Sequence, residues 1–77
     1  MPTPYDLRVS RDWTQGQLAE KAEVSTATIS RMERGELIYK NNFLAICRAL
    51  DATPEEVTGV NIYSAVQAKA RRRKQRL

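Results

Sequence analysis

Helix-starting signals recur along this chain and leave room only for short helices. Thr3-Pro4-Tyr5-Asp6 offers a capping Thr, a Pro at the first helical position and an acid at the third. Thr14-Gln15-Gly16-Gln17 is a capping box ahead of the apolar or small residues Leu18, Ala19 and Ala22. Ser25 precedes Thr26 to Glu33, where Ile29 and Met32 lie on one side of a helix, and Gly35 stops that segment. Asn41 or Asn42 can cap the next segment, in which Phe43, Leu44, Ile46, Cys47 and Leu50 make most of the circumference apolar. Thr53-Pro54-Glu55-Glu56 is the clearest box, with its helix ending near Gly59. Asn61 can cap a last helix through Ile62, Tyr63 and Val66. No useful stretch alternates polar and apolar residues with β-branched enrichment, so no strand is expected. The expected fold is all-α, five short helices with a tail.

Helices this short are marginal alone and must share a core. The core candidates are Val9, Trp13, Leu18, Ala19, Ala22, Val24, Ile29, Met32, Phe43, Leu44, Ile46, Cys47, Leu50 and Val57. A chain of 77 residues is expected to form one domain, spanning 1–60, with 61–77 as a basic extension that is helical at its start.

Composition removes whole classes of chemistry. There is no histidine and a single cysteine, Cys47. Histidine metal ligands, a Ser-His-Asp triad, a cysteine zinc site and an internal disulfide are therefore excluded. No apolar run approaches the length of a membrane span, and the N-terminus lacks the apolar stretch of a signal peptide. The expectation is a cytoplasmic protein that is not an enzyme, uses no cofactor or metal and does not contact a membrane.

Charge is placed unevenly. The net charge is +4, from 13 basic and 9 acidic residues. From Val60 onward there are six bases (Lys69, Arg71, Arg72, Arg73, Lys74 and Arg76) and no acid. The first 59 residues are left with seven bases against nine acids, so the body is slightly acidic. The tail can attract phosphates without a fold, whereas the body can do so only if its bases share a face. Three readings of the tail stay open: a solvated end, a phosphate-binding extension, and a helix that docks a partner protein through Ile62, Tyr63 and Val66.

The informative stretch runs from Gln15 to Arg34, a helix, a short turn at Glu23-Val24 and a second helix. Small Ala19 lets the two helices cross closely, and Leu18, Val24, Ile29 and Met32 fill the crossing. With Ile29 facing inward at 100° per residue, Ala27, Ser30, Arg31 and Arg34 fall on the opposite side, with Thr26 at its edge. That face is small, polar and basic, without an acid or a bulky apolar group. Such a face fits the major groove of DNA, where an Arg can bond guanine through two donors.

TQGQLAEKAEVSTATISRMERG resembles the helix-turn-helix of the phage Cro/cI-repressor family, the XRE family. The resemblance covers residues 5 to 58 and extends past the motif, through NNFLAICRAL and DATPEEV in the family's usual order. It implies a lambda-repressor-like DNA-binding domain and a transcription regulator of bacterial, phage or mobile-element origin. Such regulators act as dimers on near-palindromic sites with half-sites about 34 Å apart. It also implies site residues. Ser25, Thr26, Ala27, Ser30 and Arg31 would read bases. Thr14, Gln15, Arg34 and Lys40 would hold phosphates, with Gln15 also bracing the recognition helix. Arg8 and Glu33 would form a structural ion pair. The partners implied are double-stranded DNA and a second copy of the chain, at least on DNA, with a further protein partner possible through the C-terminal segment. Alternatives with the same fold are the antitoxin of a toxin–antitoxin pair and a restriction–modification controller. From another class, the alternative is a protein-interaction adaptor that has lost DNA binding.

Two departures from the family pattern matter. Glu23 stands where the turn usually has Gly, which costs about 1 kcal/mol if that position needs a positive φ. The first helix is short, and the loop Glu36 to Lys40 carries Leu37, Ile38 and Tyr39, unusually apolar for an exposed connection. Those three residues either pack over the core or touch a partner subunit. Trp13 either packs in the core or stacks on bases, and Cys47 is an inert core residue.

Overall fold

The computed structural model describes residues 1–63. Among them the chain forms four α-helices: α1 (Pro4–Ser10), α2 (Gln15–Ala22), α3 (Thr26–Glu33) and α4 (Lys40–Ala49). A single 3-10 turn, Pro54–Glu56, follows. No strand is present among the described residues; one isolated parallel bridge joins Ile38 to Ile62.

The capping residues start the helices as local chemistry dictates. The Asp6 N–H donates to Thr3 Oγ1 at 3.1 Å, and the Thr3 N–H returns a bond to Asp6 Oδ2 at 3.0 Å. Thr14 and Gln17 repeat the exchange at α2, at 3.0 and 2.8 Å. Ser25 accepts from the Thr28 N–H at 3.1 Å and opens α3. Each bond satisfies a helix-terminal group that would otherwise lack a partner.

The fifth helix shrinks to one turn for a packing reason. Val57 leaves the helical region, with φ −112° and ψ 131°, and lays its side chain against the core. The helix therefore ends at Glu56, not near Gly59. The Thr58 N–H then bonds Pro2 O at 3.0 Å, tying this end of the chain to the start of α1. The last helix expected from Asn61 does not begin there. Asn61, Ile62 and Tyr63 instead run alongside Ile38: the Ile38 N–H donates to Asn61 O at 3.0 Å and the Tyr63 N–H to Ile38 O at 2.9 Å. The remainder of that expected helix, Val66 included, lies outside the described residues.

That pairing also moves the start of α4. Its N-cap is Tyr39, without a side-chain cap, and Asn41 and Asn42 lie inside the first turn rather than ahead of it. The backbone of Ile38 is already bonded to residues 61–63, so the helix begins as soon as that pairing ends.

The core is Leu18, Ala19 and Ala22 of α2, Ile29 and Met32 of α3, Ile38, and Phe43, Ile46, Cys47 and Leu50 at α4. α2 packs on both α3 and α4. Trp13, Val24 and Val57 pack against this cluster while partly exposed, and Leu44 is half-buried. Val9 is not core, being 45% exposed. α1 buries the side that carries Pro4 and Leu7, which leaves Tyr5 and Val9, one turn apart, on the other. Ile38, from the apolar loop, replaces it at 3% exposure.

The turn between α2 and α3 depends on Glu23, with φ 57° and ψ 42°. This left-handed conformation lets the Val24 N–H reach Ala19 O at 3.0 Å. Asp12 and Asp51 also take positive φ, but short Asp side chains tolerate it better than Glu does.

Candidate nucleic-acid interface

α3 presents two unlike faces. Ile29 and Met32 are buried, while Thr26, Ala27, Arg31 and Arg34 are exposed and Ser30 is half-buried. Ser25 is exposed, but its hydroxyl is occupied in capping and in a 2.8 Å bond with Thr28 Oγ1. The Arg31 side chain makes no hydrogen bond or ion pair among the described residues, leaving its five donors for a ligand. Arg34 is paired with Glu36, Nε to Oε2 at 2.8 Å, both side chains more than half exposed. An exposed pair of this kind is worth about 0–1 kcal/mol, so it holds Arg34 only weakly.

The end of α3 is tied to two other helices. Glu33 accepts from Arg8 Nε at 2.7 Å and Nη2 at 3.1 Å, and from Gln15 Nε2 at 2.9 Å. Arg8 Nη1 continues the network to Trp13 O at 2.7 Å. The ionised side chains are 12% and 8% exposed. Hydrogen bonding to Glu33 raises the Arg8 pKa further above its already high value, against the opposing effect of burial. Gln15 is thus held against the last residue of α3 while occupying the first position of α2.

The charges at the helix starts separate into two groups. α2, α3 and α4 have no acid in their first turns, whereas α1 has Asp6 and the 3-10 turn has Glu55 and Glu56. The box at Thr14 is closed by the neutral amide of Gln17, and those at Thr3 and Thr53 involve carboxylates. A helix start attracts anions through its free N–H groups and dipole, and a carboxylate there offsets the attraction. Thr14 and Lys40, both exposed, stand at the starts of α2 and α4.

The structure also brings together residues that sequence reasoning had not joined. Thr28, Arg31, Tyr39, Asn42 and Tyr63 line an open cleft of about 530 Å³ between α3 and the start of α4. The Tyr39 and Tyr63 rings stack with centroids 5.2 Å apart and planes 27° apart. The apolar loop was the only signal for this arrangement. Trp13 is half-buried, with Lys21 Nζ 4.8 Å and the Arg11 guanidinium 5.8 Å from its ring centre. Arg11 is anchored in turn on Leu7 O and Leu50 O. The tail cations Lys69, Arg71, Arg72, Arg73, Lys74 and Arg76 lie outside the described residues.

A family model described as a helix-turn-helix domain matches residues 6–58. No curated protein and no solved structure matches the chain.

Proposed function

This chain belongs to the helix-turn-helix domain family, and from that membership we propose that it binds duplex DNA by sequence and regulates transcription. The observation that carries this reading is the outer face of α3: polar, cationic and acid-free, with Arg31 uncommitted. Thr26, Ala27, Ser30 and Arg31 read bases in the major groove, with Ser25 at the helix start. Thr14, Gln15, Arg34 and Lys40 hold the flanking phosphates. Arg8 and Glu33 touch no base; they fix where α3 lies relative to α1. The chain acts as a homodimer on a near-palindromic site, so that two copies of a short recognition helix supply the specificity that one lacks.

Selection of bound sequences from a random duplex pool tests this. The expected product is a two-fold symmetric consensus with half-sites about 34 Å apart. Arg31→Ala should cost about 1–3 kcal/mol on the selected site and relax preference at one base pair per half-site. A pool that shows no enrichment overturns the reading.

A further inference from the structure

The last turn of α3 carries Arg31, and it is gripped from two directions. From the side of α1 and α2, Arg8 and Gln15 hold the Glu33 side chain. From the side of the α3–α4 cleft, the grip comes from residues 61–63, past the stretch that the family model matches. Asn61 Nδ2 donates to Gly35 O at 2.6 Å. The Ile38 N–H donates to Asn61 O and the Tyr63 N–H to Ile38 O, so the backbone is held at both Gly35 and Ile38.

That held segment is bonded back onto α3. The Glu36 N–H donates to Arg31 O at 2.9 Å and the Gly35 N–H to Met32 O at 3.1 Å. These bonds satisfy carbonyls at the helix end, and they place Gly35 in the left-handed region, at φ 83°. The path from Asn61 to Arg31 is therefore short: a hydrogen bond to Gly35, the peptide link to Glu36, and a hydrogen bond to Arg31. An eight-residue helix is marginal by itself, and helix ends fray first. Fraying of the last turn carries the Arg31 backbone with it. A two-donor contact to guanine has strict geometry, so Arg31 makes it only when that turn is closed. Phosphate contacts from the starts of α2 and α4 do not depend on the turn.

We propose that Asn61 is a positioning residue for base reading. It acts through Gly35, keeping the last turn of α3 closed so that Arg31 meets its base pair in register. The inference rests on the DNA-binding reading above. A frayed turn has to close before Arg31 can bond a base. Loss of the Asn61 bond therefore penalises the sequence-specific complex and leaves the non-specific one nearly unchanged.

The test uses the full chain carrying Asn61→Ala, Arg31→Ala or both, with thermal unfolding measured alongside. Each is titrated on the selected duplex, on that duplex with the base pair that Arg31→Ala relaxes exchanged, and on a scrambled duplex. Asn61→Ala should bind the selected duplex about two- to tenfold more weakly, the equivalent of one net hydrogen bond, and lose discrimination at that base pair by the same factor. Its affinity for the scrambled duplex should change by less than about twofold, because no base is read there. In the Arg31→Ala background, Asn61→Ala should cost nothing further on the selected duplex. Amide exchange reads the same turn without DNA. The Arg34 and Glu36 N–H groups, bonded to Ser30 O and Arg31 O, should exchange faster in Asn61→Ala, while the Thr28 N–H at the start of α3 is unchanged. Equal weakening on all duplexes, additivity with Arg31→Ala, or unchanged exchange at Glu36 overturns the positioning role. Should Asn61→Ala lose its fold, Asn61→Ser, which keeps a donor on a shorter stem, should show the same pattern at smaller size, and the same outcomes overturn it. Failure of the DNA-binding reading looks different: the unsubstituted chain then prefers neither duplex, which removes the base-reading role, while exchange at Glu36 still responds to Asn61→Ala.

Discussion

Two arginine–glutamate pairs flank the C-terminal end of α3, and their closest N–O distances are almost the same. Arg8–Glu33 closes at 2.7 Å and Arg34–Glu36 at 2.8 Å. Their surroundings differ: the first pair is 12% and 8% exposed, the second 62% and 53%. Glu33 collects three donors from two residues, while Glu36 receives one from Arg34. Distance alone therefore says nothing of what a pair does. Water screens the outer pair and leaves Arg34 exchangeable. Protein surrounds the inner pair, so either partner left alone is a charge with little solvent to compensate it.

The largest way to break this comparison is to remove one inner partner. Glu33→Ala or Arg8→Ala should each destabilise the fold by about 3–5 kcal/mol, measured by denaturant unfolding, with strong non-additivity in the double-mutant cycle. A loss below 1 kcal/mol, additive in the cycle, would put the inner pair in the class of the outer one. Gln15→Ala tests the third donor by itself. A hydrogen bond to a charged group contributes about 1.5–3 kcal/mol, so stability should fall by that order, and affinity for operator and random DNA should fall together. A changed base preference would show that Gln15 acts through a base-reading side chain instead. Glu36→Gln should alter stability by no more than about 1 kcal/mol while strengthening DNA binding, because Arg34 is released and an acid removed. Weaker DNA binding in that variant would mean that Glu36 orients Arg34 for its phosphate.

Acid titration gives the smallest and most local contrast. Bonds from the Thr3 N–H and hydroxyl hold Asp6 below the usual carboxylate range, and those from Thr53 do the same for Glu56. A lowered folded pKa means that these carboxylates stabilise the fold at neutral pH. Their contribution is complete above the unfolded pKa of about 4 and is lost as pH falls through the lower folded values. The Gln17 box does not titrate. Amide exchange or NMR shifts at decreasing pH should therefore show the starts of α1 and the 3-10 turn loosening while the start of α2 holds. Simultaneous loosening of all three would refute local control by the caps.

What the sequence reveals depends on how far apart the interacting residues lie. Thr3, Thr14 and Ser25 act on N–H groups three residues away, so their roles can be read locally. The Arg8–Glu33 pair joins residues 25 apart, and only a family resemblance pointed to it. The pairing of Ile38 with Ile62 cannot be read from the sequence: the two belong to pieces too short for a periodic pattern, and Asn61 has the signature of a helix cap. Val9 misled for a related reason, since an apolar residue on a two-turn helix does not show which side faces inward. The outer face of α3 was legible from helical geometry alone. The commitment of the Gln15 amide to Glu33 needed the tertiary fold.

Burial of Ile38 fixes the minimal folding unit. Composition places a boundary at residue 60, and the family match stops at residue 58. A chain trimmed at either point would uncover a side chain that is 3% exposed, leave the Ile38 N–H and carbonyl without their partners and remove the ring that covers Tyr39. The smallest cooperative unit therefore includes residues 61–63. Within it, the amide protons of Ile38 and Tyr63 should exchange together, at the rate at which the pairing of Ile38 with residues 61–63 opens.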